Sequence, residues 1–135
     1  MAYEPSPERA RTLALQERAF RFTCTIIRAY PRRRNLDDPS RIVWRELVKS
    51  ATSSTFNLEE ADGATSDHDF VAKMRISARE AKEARVAIRV IAACALEGAT
   101  EVGKHLDEAN QLASIYSAIV RNKKANMKAA SRGKS

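Results

Sequence analysis

Residues 50–85 read SATSSTFNLEEADGATSDHDFVAKMRISAREAKEAR, and this stretch decides the fold. Ser50 to Thr55 is a run of small residues with poor intrinsic helix propensity, marginal in isolation. Packed among other helices, such short side chains let a neighbouring backbone come close. Asp62-Gly63 marks a stop, since glycine is the usual residue just past a helix end. Ser66-Asp67-His68-Asp69 opens the next helix in the S-x-x-D pattern, with Ser66 as cap and two carboxylates on the positive end of the helix dipole. Positions 70, 74, 77, 81, 84, 88, 91 and 95 then follow 4-3-4-3 spacing and hold Phe, Met, Ser, Ala, Ala, Ile, Ile and Ala. That is a seam for antiparallel bundle packing, narrow at its centre and bulkier at its ends.

Working outward, the helix before the turn is predicted over about 39–62. Asp37-Asp38-Pro39-Ser40 supplies an acidic cap and a first-turn proline, and Trp44, Leu47, Val48, Ala51, Thr55 and Leu58 share one side. A first helix is predicted over about 9–30. Its Leu13, Phe20 and Ile27 recur every seven residues beside Ala19, Phe22 and Ile26, two stripes where a surface helix needs one. Tyr30-Pro31 ends it, because the residue before proline disfavours the α region. The third helix is predicted over 66–97 with Gly98 as its stop. A fourth, 101–124, is capped by Thr100 and carries Val102, Leu106, Ala109, Ala113, Tyr116 and Val120, with Leu112 and Ile119 alongside. Residues 1–8, with Pro5 and Pro7, read as a loose leader, and residues 125–135 as a basic, disordered tail.

Four glycines and four prolines leave few places for turns, and no stretch alternates apolar with polar residues over a strand's length. The prediction is an all-α single domain, an up-down-up-down four-helix bundle. The chain begins Met1-Ala2-Tyr3-Glu4-Pro5 without an apolar segment, so no signal peptide is expected. The longest apolar run, Val90 to Leu96, is seven residues, against the roughly 18 needed to span a bilayer. The expectation is a cytoplasmic protein with no membrane partner. There, Cys24 and Cys94 would act as small buried apolar side chains rather than a disulfide or a metal knuckle.

The net charge of +7 is unevenly spread. Residues 1–35 carry eight basic and three acidic side chains, 36–69 three and eight, 70–98 six and three, and 99–135 seven and three. One acidic block thus sits among three basic ones. Basic surface attracts nucleic acid and other polyanions, though solvated helix faces produce the same count. The densest cluster is Arg32-Arg33-Arg34, at a helix C-terminus where cations also suit the dipole. With Arg121, Lys123 and Lys124 these are the candidate phosphate contacts for RNA or DNA. Few aromatic residues are available for stacking, so recognition through phosphates rather than bases is expected.

Enzymatic chemistry finds little support. A di-iron bundle needs Glu-x-x-His pairs, and neither His68 nor His105 has that spacing. Ser77 falls on the packing seam with no histidine placed to activate it, and no Gly-rich phosphate loop exists. No catalytic residue, metal or cofactor is expected. One polar set stands out. Asn57 and Glu60 lie three apart before the turn, Glu80 and Glu83 three apart after it, and Lys82 or Arg85 is a possible counter-charge. The expected role is a structural polar network between helices or subunits.

The same stretch resembles the helical-bundle family encoded by intervening sequences in bacterial 23S ribosomal RNA genes. The resemblance rests on the small-residue run, Asn57 and Glu60 as N-x-x-E, Gly63 in the turn, and Ser66, Phe70, Met74, Ile76, Ser77, Glu80, Ala81 and Glu83 after it. Met74 stands where leucine is usual, Ser77 where alanine is, and Ala61 where glycine commonly follows the glutamate. The resemblance implies a homopentamer, five bundles around a central channel, which would cover the second apolar stripe of the first helix. A related branch contains accessory proteins of diversity-generating retroelements, basic pentamers that bind a reverse transcriptase and nucleic acid. It implies, as the alternative to nucleic-acid binding, a scaffold for a protein partner such as that polymerase. No agreed biochemical activity comes with the family.

Overall fold

In the computed structural model, residues 2–133 are described and form five helices with no strand among them. Helix α1 spans Pro7–Ala29, α2 Asp38–Asp62, α3 Asp67–Ala93, α4 Ala99–Gly103 and α5 Leu106–Arg132. The fold is all-helical and bundle-like. Helix α3 sits at its centre, packed along α2 on one side and α5 on the other; α1 packs on α2 and meets α5 only sparingly.

Local chemistry sets the helix starts. The Ser6 hydroxyl accepts from Arg9 N, the Asp37 carboxylate from Ser40 N at 2.9 Å, and the Ser66 hydroxyl from Asp69 N at 3.0 Å. Each satisfies a backbone donor that the first turn leaves without a partner. The first helix therefore begins at Pro7, inside the stretch read as a leader.

Three further boundaries differ from the sequence expectation. Helix α3 ends at Ala93, because Ala95 takes a positive φ of 50° and Leu96 N returns to Ile91 O. Gly98 does not stop α3; it is the left-handed residue from which α4 starts. The expected helix over 101–124 is a short α4 followed by α5, separated at Lys104 and His105. Residues 125–132, expected as a disordered tail, continue α5. Alanine, lysine and methionine there are strong helix formers, and extending an existing helix avoids the cost of nucleation. Lys134 and Ser135, also assigned to that tail, lie outside the described residues.

The core is built by Trp44, Leu47, Met74, Ile88, Ile91, Leu112 and Tyr116, each no more than 2% exposed. Burying one such side chain contributes about 1.5–3 kcal/mol. Between the helices the small residues serve a second purpose. Ser54 and Ser77 bond across α2 and α3 within a fully buried seam. Thr23 donates to Ala51 O and Thr55 to Ala19 O, with the two hydroxyls 2.7 Å apart. These hydroxyls reach carbonyls already used by their own helices, so no buried polar atom in this seam is left without a partner.

At one end of the molecule, Trp44 closes the structure. Its Nε1–H donates to Glu97 O at 2.6 Å, Tyr30 meets it edge-on at 5.7 Å, and Glu97 N donates to Ser40 Oγ. Gly98, at φ 79°, lies against the indole. The thiols depart from expectation: Cys24 is half-buried and Cys94, the last cap of α3, is exposed.

The two apolar stripes of α1 part company. Ala19, Phe22 and Ile26 are buried, whereas Leu13, Phe20 and Ile27 face outward, Phe20 at 54% exposure.

Candidate nucleic-acid interface

The six basic candidates fall into two groups at opposite ends of the molecule. Arg33 pairs with Glu97 at 2.8 Å, just beyond the C-terminus of α3. Lys123 pairs with Asp67, the first residue of α3, at 2.9 Å, and lies 5.5 Å from the Phe70 ring centre. Helix α3 is 27 residues long, so the groups lie roughly 40 Å apart at 1.5 Å per residue.

Within the first group, Arg32 makes only a long bond to Ile27 O at 3.5 Å, and Arg34 is exposed without a partner among the described residues. In the second, Arg121 and Lys124 are exposed and likewise unpaired, whereas Lys123 is held against the bundle. Its ammonium draws the Asp67 carboxyl below the usual carboxylate range, through hydrogen bonding first and charge second.

The continuation of α5 adds cations beyond those six. Arg121, Lys124, Lys128 and Arg132 fall within roughly 80° of one another at 3.6 residues per turn. Lys123 and the half-buried Met127 turn toward the bundle, and this stripe runs along the exposed flank beside them. No acidic residue follows Glu108 in the sequence. From Lys124 to Arg132 the helix runs on about 13 Å beyond the Lys123–Asp67 pair, which joins it to the first residue of α3. The spacing of these cations is visible in the sequence, but a stretch without apolar periodicity gives no reason to count helical phase.

The polar set on α2 and α3 does not converge. Asn57 Nδ2 donates back to Ser53 O on its own helix at 2.9 Å, and Glu60 lies 3.5 Å from Lys73. Glu80 is 3.6 Å from neighbouring Arg79, while Glu83 accepts a long bond from Ser50 at 3.4 Å. Arg85 meets none of them, and its buried Nε has no hydrogen-bond partner among the described residues. The reason is helical phase: Arg85 turns from the α2 side of α3, where Glu83 meets Ser50.

A separate clasp crosses the open seam between α1 and α5. Arg18 binds Glu108 through two nitrogens, at 2.9 and 2.5 Å, and Gln111 Oε1 at 2.7 Å. The guanidinium holds the Glu108 carboxyl below its usual range, mainly through hydrogen bonding and against partial burial. His105 lines the same cleft and His68 is exposed on α3's first turn. Among the described residues no three His, Cys, Asp or Glu side chains cluster closely enough to hold a metal ion, and no helix is long and apolar enough to cross a membrane.

No family model, curated protein or solved structure matches the chain.

Proposed function

We propose that this chain is a non-enzymatic, self-assembling cytoplasmic protein that binds RNA or DNA through phosphates. In this reading α1, α2, α3 and α5 are the four members of an up-down-up-down bundle, with α4 as a turn before the last. Five copies is the number implied by the resemblance of residues 50–85 to the ribosomal intervening-sequence family. The observation that carries the binding reading is the cationic stripe Arg121, Lys124 and Lys128 on an exposed helix that has no carboxylate of its own beyond Glu108. Such a stripe neutralises successive phosphates without reading base edges.

A salt titration of binding to mixed-sequence duplex DNA and to RNA tests this. Neutralising Arg121, Lys124 and Lys128 with glutamine is expected to flatten the duplex salt slope by about 0.9 for each phosphate no longer neutralised. Absence of binding at low salt would overturn the reading. The exposed apolar stripe Leu13, Phe20 and Ile27 supports the second reading, a scaffold for a protein such as a reverse transcriptase. Capture of a partner that survives nuclease treatment, with no nucleic acid bound, would favour it.

A further inference from the structure

The outer side of the α1–α2 pair carries a hollow and a knob that cannot meet within one chain. The hollow, about 460 Å³, has Ile27, Tyr30 and Val48 as its apolar lining and Arg32, Arg45 and Lys49 on its rim. No carboxylate lines it. Arg45 and Lys49 form no ion pair among the described residues, so this rim holds uncompensated positive charge. The knob is Phe56, the outward-facing aromatic of α2, 62% exposed. Glu59 and Glu60 follow it by three and four residues, which places both carboxylates beside the ring one turn on. Glu59 is unpaired among the described residues, and Glu60 keeps only a partly exposed contact with Lys73.

Both features belong to α2. Phe56 lies seven residues from Lys49 and eleven from Arg45, roughly 10–16 Å along a rigid helix, so the ring cannot fold back into the hollow. We infer that Phe56 of one copy seats in the α1–α2 hollow of another copy, with Glu59 and Glu60 on its cationic rim. Apolar meets apolar and each charge meets its opposite, the arrangement that fixes register between subunits. The occupant is a second copy because this chain itself presents a ring flanked by carboxylates. Leu13 and Phe20 lie along the same side of α1 as Ile27, so the same approach covers a stripe otherwise exposed. The groove on α2's other flank, between Ile42 and Val86, mixes Arg79 and Lys82 with Glu46 and Glu83 and selects no such partner.

The inference deepens the self-assembly reading and rests on it, not on the number of copies. The test is light scattering on the full chain without nucleic acid, at tens of micromolar. Wild type is expected well above the 15.0 kDa of one chain. Phe56→Ser, the pair Glu59→Lys with Glu60→Lys, and the pair Arg45→Glu with Lys49→Glu should each shift the mass toward one chain. All are exposed positions, and circular dichroism confirms that each variant stays helical. Combining both charge-reversing pairs in one chain should restore the wild-type mass. A monomeric wild type would overturn the inference together with self-assembly. An assembled wild type whose mass ignores these substitutions, or charge reversals that combination does not rescue, would overturn this contact and leave assembly standing.

Discussion

Ser54 and Ser77 each donate a hydroxyl proton to the other's backbone carbonyl, at 2.9 and 2.7 Å, across the buried α2–α3 seam. Two helices come this close only where side chains are short and their polar atoms satisfied. Replacing Ser77 by alanine removes one bond and is expected to cost about 0.5–1.5 kcal/mol in urea unfolding. Ser77→Leu adds volume at a fully buried position and should cost more, about 1–3 kcal/mol or above. Equal stability of the two variants would mean the seam is loose.

Gly98 and Gly63 should respond oppositely to alanine. At Gly98 the backbone is left-handed, and a Cβ would stand 2.8 Å from Trp44 Cζ2. Backbone strain of this kind alone costs about 1–3 kcal/mol, and the indole adds to it. At Gly63 φ is −96° and the nearest atom to an added Cβ is Glu60 O at 3.8 Å. Alanine there should be neutral or stabilise by up to about 1 kcal/mol, by restricting the unfolded chain. Thermal melts of the two variants decide both statements.

Acid should weaken the fold in a defined window. Glu108 is held low by hydrogen bonds from Arg18, Asp62 by those from Arg9, and Asp37 by those from Ser40 N and Oγ. Each carboxylate has a folded pKa below its unfolded value of about 4. Its contribution is therefore complete above that value and lost as pH falls through the folded one. The urea midpoint should hold from pH 7 to about 5 and drop below about 4. Arg18→Ala should lower stability at neutral pH by about 0.5–1 kcal/mol, given that both side chains are partly exposed, and make the acid limb shallower. A limb parallel to that of the wild type would assign the acid response elsewhere.

The overhanging turns of α5 should be dispensable for folding and needed for polyanion binding. Ending the chain after Lys124 removes Lys128, Arg132 and Lys134 but no residue of the core. The stability should change by less than about 0.5 kcal/mol, as for surface changes generally. Affinity for duplex DNA at low salt should fall several-fold, with a flatter salt slope. A large loss of stability would mean that Met127 anchors α5 more firmly than its half-buried state indicates.

Much of this architecture is legible in the sequence because its signals are local. An acidic cap at Asp37-Asp38 and a serine cap at Ser66 are read from residue type alone, and Asp37 and Ser66 do accept backbone N–H groups. The 4-3-4-3 seam of α3 is buried at Met74, Ser77, Ala81, Ala84, Ile88 and Ile91. Its outer positions are not: Phe70 is only half-buried and Ala95 is exposed. The end of α3 is illegible for a physical reason: its left-handed residue is an alanine, Ala95, which carries none of glycine's conformational signature. The last turns of α5 are hidden because fading apolar periodicity resembles loss of helix, when it marks only loss of a partner. The candidate site is half legible. Residue type identifies the cations, but only the course of α3 shows that Arg33 and Lys123 stand at opposite ends.

The closure around Trp44 also determines what an optical experiment on this protein can see. Trp44 is the chain's one tryptophan, fully buried, with its indole N–H committed to Glu97 O. Its emission will therefore report the α2–α4 end alone and stay silent about the α5 overhang. Fluorescence and far-ultraviolet circular dichroism should coincide on unfolding only if both ends melt together. A dichroism change preceding the fluorescence change would be the overhang fraying by itself.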